Sequence, residues 1–248
     1  MPFASDGPAL FFDPAAFTLV GMKFLLLGAG KTGSLVAEVA RHRGHEVETI
    51  RSRENLRSSA LTPARLTPID VVIDFTTPAC VLDHIRASVA ARKNMVVGTT
   101  GWYEEIPGIR GQVESGQTGL VFGSNFSVGV NLFFDLVRAA RPALEHRYFP
   151  QIYERHHVDK KDAPSGTAAT IQRILEEHSG REIEITSFRE GEVVGMHEVV
   201  LDSALDTIYL CHDAKSRRAY AEGAVRAAEW IAGKKGFFEF RDIWREMK

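Results

Sequence analysis

The chain has 248 residues, 44% of them apolar and 25% charged, with a formal net charge of -2. That profile excludes a disordered chain and gives no global pull toward nucleic acid or an acidic membrane, so any anion-binding surface must be local. Cys80 and Cys211 fit neither a disulfide framework nor a metal cluster and read as reduced thiols of a cytoplasmic protein, and no apolar run approaches the roughly 18 residues that cross a bilayer.

Residues 1–21 carry Asp6, Asp13 and three prolines, with no Lys or Arg ahead of the apolar part. They make a poor secretory signal and are expected to form a leader of unknown role. From Met22, "MKFLLL" predicts a strand, "SLVAEVARHRG" a helix ending at Gly44, and "EVETI" a second strand. "IDVVIDF", "NMVVGTT" and "GLVFGSNF" predict further strands, with the helix "PACVLDHIRASVAARK" between the first two. Continuous apolar strands alternating with amphipathic helices predict a Rossmann-type, doubly wound parallel sheet.

After Asn125 the pattern changes. Val130, Phe133, Phe134 and Val137 recur at helical spacing, and another helix is expected from about Ser165 to Glu177. "EIEITSFR", "VVGMHEVVLD" and "DTIYLCHD" follow as strands with no helix between them, which predicts a smaller α+β unit with a mainly antiparallel sheet. A long helix from Ser216 to about Ala232 and the segment "FFEFRDIW" close the chain. The expected division is 22–126 plus 215–248 for nucleotide binding, and 127–214 for substrate binding and oligomerisation.

Gly28, Gly30 and Gly33 stand between the first strand and its helix in the spacing G-x-G-x-x-G. Glycines there tighten the turn and bring backbone N–H groups, at a helix N-terminus, up to a pyrophosphate. The second strand ends in Arg51, Ser52 and Arg53, basic where an acid would hold the ribose diol of NAD, which favours NADPH over NADH. Glu54 could still turn inward, so use of both cofactors stays open. Gly98, Thr99, Thr100 and Gly101 end one apolar strand, and Gly123, Ser124, Asn125 and Phe126 end another. Both segments reach the carboxyl edge of the sheet, where open α/β sheets bind ligands.

The stretch "YERHHVDKKDAPSGTAATI" precedes the helix of the second unit. Ser165, Gly166 and Thr167 at its start offer unpaired backbone N–H groups, an anion cradle with Lys160 and Lys161 beside it. His156 and His157 are adjacent, so on a strand they point to opposite faces and one at most shares the site directly. An imidazole suits proton donation after hydride transfer. No metal is expected, because adjacent histidines without another His or Cys nearby lack ligand spacing. The residues describe a reductase for a small anionic substrate.

With "GAGKTG", "VIDFTTP", "VVGTTGW", "GSNFSVGVNLFF", "ERHHVDKKDAPSGTA", "GMHEV" and "AVRAAEWIAGKKGFFEFRDI" in this order, the chain resembles the dihydrodipicolinate (4-hydroxy-tetrahydrodipicolinate) reductases of bacterial lysine and diaminopimelate synthesis. The resemblance implies a cytoplasmic homotetramer that reduces a cyclic dicarboxylate with NADPH or NADH, without nucleic acid or membrane partners. It implies His156 as proton donor, Lys160 as its partner, and His157, Ser165, Gly166, Thr167 and Thr100 as substrate contacts. It extends the cofactor set to Ala29, Lys31, Thr32, Phe75 and Thr76. The chain departs from the family pattern in a phosphate loop one residue shorter, an abbreviated region after Arg57, and a shortened stretch between Arg181 and Gly195. Competing expectations are another NAD(P) dehydrogenase of a small dicarboxylate or amino acid, and an NADPH-sensing module that does not turn its ligand over.

Overall fold

The computed structural model describes residues 21–55 and 58–247. Of the expected leader only Gly21 falls among them, and Arg57 lies outside as well. Strand β1 (Lys23–Leu27) leads into α1 (Lys31–His42), followed by β2 (Glu46–Ile50), the one-turn α2 (Pro63–Leu66), β3 (Val71–Asp74), α3 (Pro78–Ala90), β4 (Asn94–Val97), α4 (Ile106–Ser115) and β5 (Gly119–Phe122). Then come α5 (Val128–Ala140), β6 (Phe149–His156), α6 (Gly166–Ser179), β7 (Ile185–Arg189), β8 (Met196–Asp202), β9 (Thr207–Asp213), α7 (Arg218–Ile231) and β10 (Gly236–Glu239).

Six strands form one parallel sheet in the order β10-β5-β4-β3-β1-β2. Successive residues of a strand face opposite sides, and here both sides are covered. Phe24 and Leu26 pack with α1 and α7, while Leu25 and Leu27 pack with α3 and α4. That is why the strands are apolar without a break. Gly28 has φ +96°, and a Cβ on it would lie 2.3 Å from the Phe75 carbonyl oxygen, so both the turn and the close approach demand glycine. Gly223 serves the other side: a Cβ there would lie 1.7 Å from the Phe126 carbonyl oxygen, so only glycine lets α7 seat on the end of β5 and its loop.

The sequence pattern misses α4, because Pro107, Gly108 and Gly111 break its apolar period and only Ile109 and Val113 are buried. It also leaves "FFEFRDIW" as a closing segment, whereas its first residues belong to β10, which extends the parallel sheet beside β5 with Phe237 opposite Leu120.

The second sheet runs β7-β6-β8-β9, and α5 and α6 cover one face around Val130, Phe134, Ile152, Ile171 and Val199. Two of its three pairings are antiparallel, β8 with β9 across a helix-free joint as predicted, and β6 with β8 although α6 and β7 lie between them in the chain. The third, β6 with β7, is parallel, because α6 forms the crossover between them.

The last helix is tied to the first sheet by charge as well as by its apolar face. Glu229 accepts a two-pronged bond from Arg43, both distances 2.8 Å, and lies 2.8 Å from His45 Nε2. His45 Nδ1 accepts the Met22 N–H at 3.2 Å, so Nε2 carries the hydrogen and donates to Glu229. Burial raises the Glu229 carboxyl, but the bonds from Arg43 and His45 outweigh it and hold the group below its ordinary 4.5. The stabilisation is therefore full above pH 4.5 and is lost as pH falls through the lowered value. Glu229→Ala should lower the unfolding free energy at neutral pH by about 2–4 kcal/mol in urea denaturation, with the deficit shrinking in acid. A change under about 1 kcal/mol would mean that the apolar face alone holds α7.

Candidate active site

Two connected clefts lie along the carboxyl edge of the parallel sheet. The smaller, about 280 Å³, is lined by Gly30, Lys31, Thr32 and Gly33 of the glycine loop together with Phe75, Thr76, Gly98, Thr99 and Thr100. The larger, about 620 Å³, shares Thr32, Phe75, Gly98 and Thr100 with it and continues to the second sheet. A hydride carrier in the first space and an acceptor in the second would meet at those four residues.

The glycine loop fits a dinucleotide. Gly30 caps α1 with no side-chain bond to the first turn, and a Cβ on it would meet nothing within 4 Å, so the loop's apex opens onto the cleft. Gly33 is held from below, since its Cβ would lie 2.1 Å from the Gly28 carbonyl oxygen. Gly98 serves packing too: a Cβ there would lie 2.2 Å from the Phe75 ring, which forms part of the wall. Gly28, Ala29, Arg51 and Gly123 do not line either cleft. Gly28 and Gly123 lie behind the wall, Gly123 against Phe240, and Arg51 is exposed at the tip of β2.

Ser124, Asn125 and Phe126 reach the larger cleft from one side, and His156, His157, Lys160, Ser165, Gly166 and Thr167 from the other. Asn125 Nδ2 donates to Thr167 Oγ1 across the gap at 3.5 Å. Both histidines line the cleft, against the expectation of one. Strand β6 ends at His156, and the chain then turns, with the Lys160 N–H donating to the His157 carbonyl at 3.2 Å, so strand alternation no longer separates them.

The cradle also differs from expectation. Ser165 is the N-cap of α6, its hydroxyl accepting the Ala168 N–H at 3.2 Å, but its own N–H is already given to Glu154 at 3.0 and 3.1 Å. Gly166 and Thr167 keep their N–H groups for a ligand: neither donates to a protein group outside the helix among the described residues. Lys160 is paired as well, 2.8 Å from both oxygens of Asp162. Lys161 is exposed and does not line the cleft.

Glu154 is the residue that sequence reasoning missed. It is fully buried on the face of β6 that carries His156, two residues along. Sheet register sets Ser187 beside it on β7 and His197 beside it on β8. The Ser187 hydroxyl donates to it at 2.7 Å and Arg189 Nη2 at 3.2 Å. His156 Nδ1 lies 3.6 Å away and His197 Nε2 3.8 Å away, with the two rings edge to face at 5.1 Å. His197 also meets the Ser165 hydroxyl at 3.1 Å. The strand period of two points from His156 to Glu154, and "GMHEV" flags His197; Arg217 and Tyr220, which line the cleft, have no such local signal.

The electrostatics follow from burial and neighbours. Desolvation would raise the Glu154 carboxyl, but the bonds from Ser165, Ser187 and Arg189 outweigh it and hold the group ionised. Burial drives His156 down to about 4, aided by Lys160 and Arg189 and opposed by Glu154. Burial, then the neighbouring His156, drives His197 to about 4. Both Nδ1 atoms are buried without a protein partner. Glu154, His156 and His197 bring three donor atoms within 4.8 Å of one another, so the fold supplies the further histidine that the local spacing lacks, while Glu154 already accepts from Ser165, Ser187 and Arg189.

The parallel sheet with its glycine loop and the paired clefts at its carboxyl edge have the layout of a nicotinamide-dependent oxidoreductase. Residues 22–126 match the family model for the dihydrodipicolinate reductase N-terminus, and residues 129–244 that for its C-terminus. The 4-hydroxy-tetrahydrodipicolinate reductase of Christiangramia forsetii is 34% identical over 240 residues, covering 91% of this chain and 99% of the relative. That of Natronomonas pharaonis is 36% identical over 247 residues, covering 89% and 99%. A solved structure, the dipicolinate-bound dihydrodipicolinate reductase of Paenisporosarcina sp. TG-14, shares the fold with a TM-score of 0.74 at 21% identity, over 90% of this chain and 99% of that one. The chain belongs to the dihydrodipicolinate reductase family, and its activity is an NAD(P)H-dependent reduction in lysine and diaminopimelate biosynthesis.

The two neutral imidazoles give the site a pH signature. In the unfolded chain they charge near 6.5, in the folded chain only near 4. Between those values the unfolded state binds more protons, so stability falls as pH drops through that window. Urea denaturation across it should show a shallower fall for His156→Gln than for the wild type; identical slopes would mean that His156 is not held neutral.

Proposed function

We propose that the larger cleft binds 4-hydroxy-tetrahydrodipicolinate, that His156 and Lys160 serve its protonation, and that NADPH is the preferred reductant. The observation that carries this reading is the shared wall: the glycine-loop cleft and the histidine cleft meet at Thr32, Phe75, Gly98 and Thr100. A bound reduced nicotinamide supplies a hydride to one ring carbon, and the neighbouring carbon then needs a proton. His156 faces the cleft and is buried enough to exclude bulk water from that transfer. The free N–H groups of Gly166 and Thr167 at the start of α6 suit a carboxylate, with His157 and Thr100 as further substrate contacts. A dianion beside His156 raises the imidazole's affinity for a proton, so the donor is charged by the arrival of its own substrate.

The NADPH preference rests on the tip of β2. Glu54, the acid that could hold a ribose diol, instead accepts the Arg51 N–H at 3.1 Å and lies 3.9 Å from Arg53. The exposed Arg51 side chain remains for a 2′-phosphate. We further read the chain as a cytoplasmic homo-oligomer, a tetramer formed through the second sheet. Phe149, Ile208 and Tyr209 are exposed on its strands, Cys80 and Cys211 are unpaired, and no helix among the described residues is long and apolar enough to cross a membrane.

The test is loss of absorbance at the reduced-nicotinamide band when protein and cofactor meet substrate made in place from pyruvate and aspartate semialdehyde by the preceding synthase. Synthase-dependent oxidation is expected, faster with NADPH; cofactor binding without oxidation would overturn the substrate. His156→Ala should lower turnover by about 10²-fold or more with cofactor binding intact, and unchanged turnover would remove it from the chemistry. Lys160→Ala should raise the substrate KM as well. Arg51→Ala should weaken NADPH more than NADH, and equal effects would place the 2′-phosphate elsewhere.

A further inference from the structure

Helix α3 carries a histidine that the proposed chemistry does not use. His84 is 2% exposed, with Nδ1 2.6 Å from Asp74 Oδ2 and Nε2 2.9 Å from Asn55 Nδ2. Asp74, fully buried at the end of β3, takes three more bonds on its other oxygen: from the Thr76 N–H at 3.0 Å, the Thr76 hydroxyl at 2.8 Å and the Thr99 hydroxyl at 2.5 Å. Among the described residues no Lys or Arg pairs with it. Asn55 Oδ1 accepts the Ala60 N–H at 3.0 Å.

That last bond fixes the direction of the whole chain. With its oxygen toward Ala60, Asn55 turns its NH₂ to His84, whose Nε2 must accept. Nδ1 therefore bears the hydrogen and donates to Asp74. Each link is satisfied, and all run one way, from the Ala60 N–H to the carboxylate.

The network joins the cleft wall to the loop after β2, which lines neither cleft. Thr76 and Thr99 line the smaller cleft beside the glycine loop. Asn55 closes the turn Ser52–Glu54 that follows Arg51 at the tip of β2. A buried carboxylate without a neighbouring cation is costlier than an apolar contact, so packing alone does not account for it.

We propose that His84 is a positioning residue for the cofactor, locking the turn after β2 to Thr76 and Thr99 so that one buried hydrogen-bonded chain holds the tip of β2 in register with the cleft wall. The proposal rests on the reading that these loops hold NAD(P)H. Two substitutions cut the chain at different links. His84→Asn keeps a donor for Asp74 but does not reach Asn55, and Asn55→Ala leaves the His84–Asp74 pair intact. Both should raise the Kd of NADPH and of NADH by about 5–10-fold in nicotinamide fluorescence titrations, with kcat at saturating cofactor within about twofold and substrate KM unmoved. His84→Leu should weaken the cofactor at least as much and lower Tm besides. A fall in Tm with cofactor Kd unchanged in both cutting variants would overturn the proposal. Should His84→Asn fail to fold, Asn55→Ala decides alone. Gly33→Val separates this from the parent reading: if NADPH binds that variant as tightly as the wild type, the cofactor does not lie at the glycine loop, and both readings fall together.

Discussion

The buried carboxylate of Glu154 is the point on which the site depends. It is the junction of three elements: β6 supplies it, β7 gives it Ser187 and Arg189, and the start of α6 gives it the Ser165 N–H. A charge in this position is tolerable only when its lone pairs are filled, and they are. Removing any one donor would leave the others around an underpaired ion, so the strand pair and the helix N-terminus stand or move together. His156 and His197 inherit their places from this anchor, since both rings pack against the same oxygen.

Holding α6 by its N-cap has a consequence for the ligand. The Ser165 N–H is spent internally, which leaves the next two amides to face the cleft. The helix start is thus aimed by one carboxylate, and in the proposed reading it would receive another. Across the gap, Asn125 reaches Thr167, so the loop after β5 and the start of α6 are registered to each other through side chains. The cleft is framed by both sheets, so in the proposed reading a hydride carrier along one edge would face a substrate held by the other.

What the sequence made legible was local. Gly28 to Gly33 declare themselves because strand, turn and helix are contiguous, and Gly166 and Thr167 because a helix start follows proline and serine directly. What stayed hidden depended on register or tertiary contact. Glu154 is an ordinary strand glutamate until β7 and β8 set Ser187 and His197 beside it. The pairing of Lys160 with Asp162, and the turn that brings His157 into the cleft, depend on where β6 stops rather than on any period. Helix α4 lacks an apolar stripe because two glycines and a proline interrupt it, and β10 is four residues whose partner lies more than a hundred positions earlier. Arg51 is informative by its sequence position, and the structure sets it outside the lining of both clefts, exposed at the tip of β2.

The charge inventory bears on why, in the proposed chemistry, histidines rather than more lysines would handle the proton. Glu154 and Asp162 are balanced by Arg189 and Lys160, and the imidazoles are neutral, which leaves Arg217 as a cation lining the cleft with no carboxylate partner among the described residues. Additional lysines would supply attraction, but they would grip the product, also a dianion, just as firmly. A buried imidazole, held neutral by desolvation, adds no fixed charge. On the proposed chemistry it acquires its proton when the substrate's carboxylates enter a poorly solvated space, where their field is strongest. Delivery of that proton to the ring carbon returns the imidazole to its neutral state.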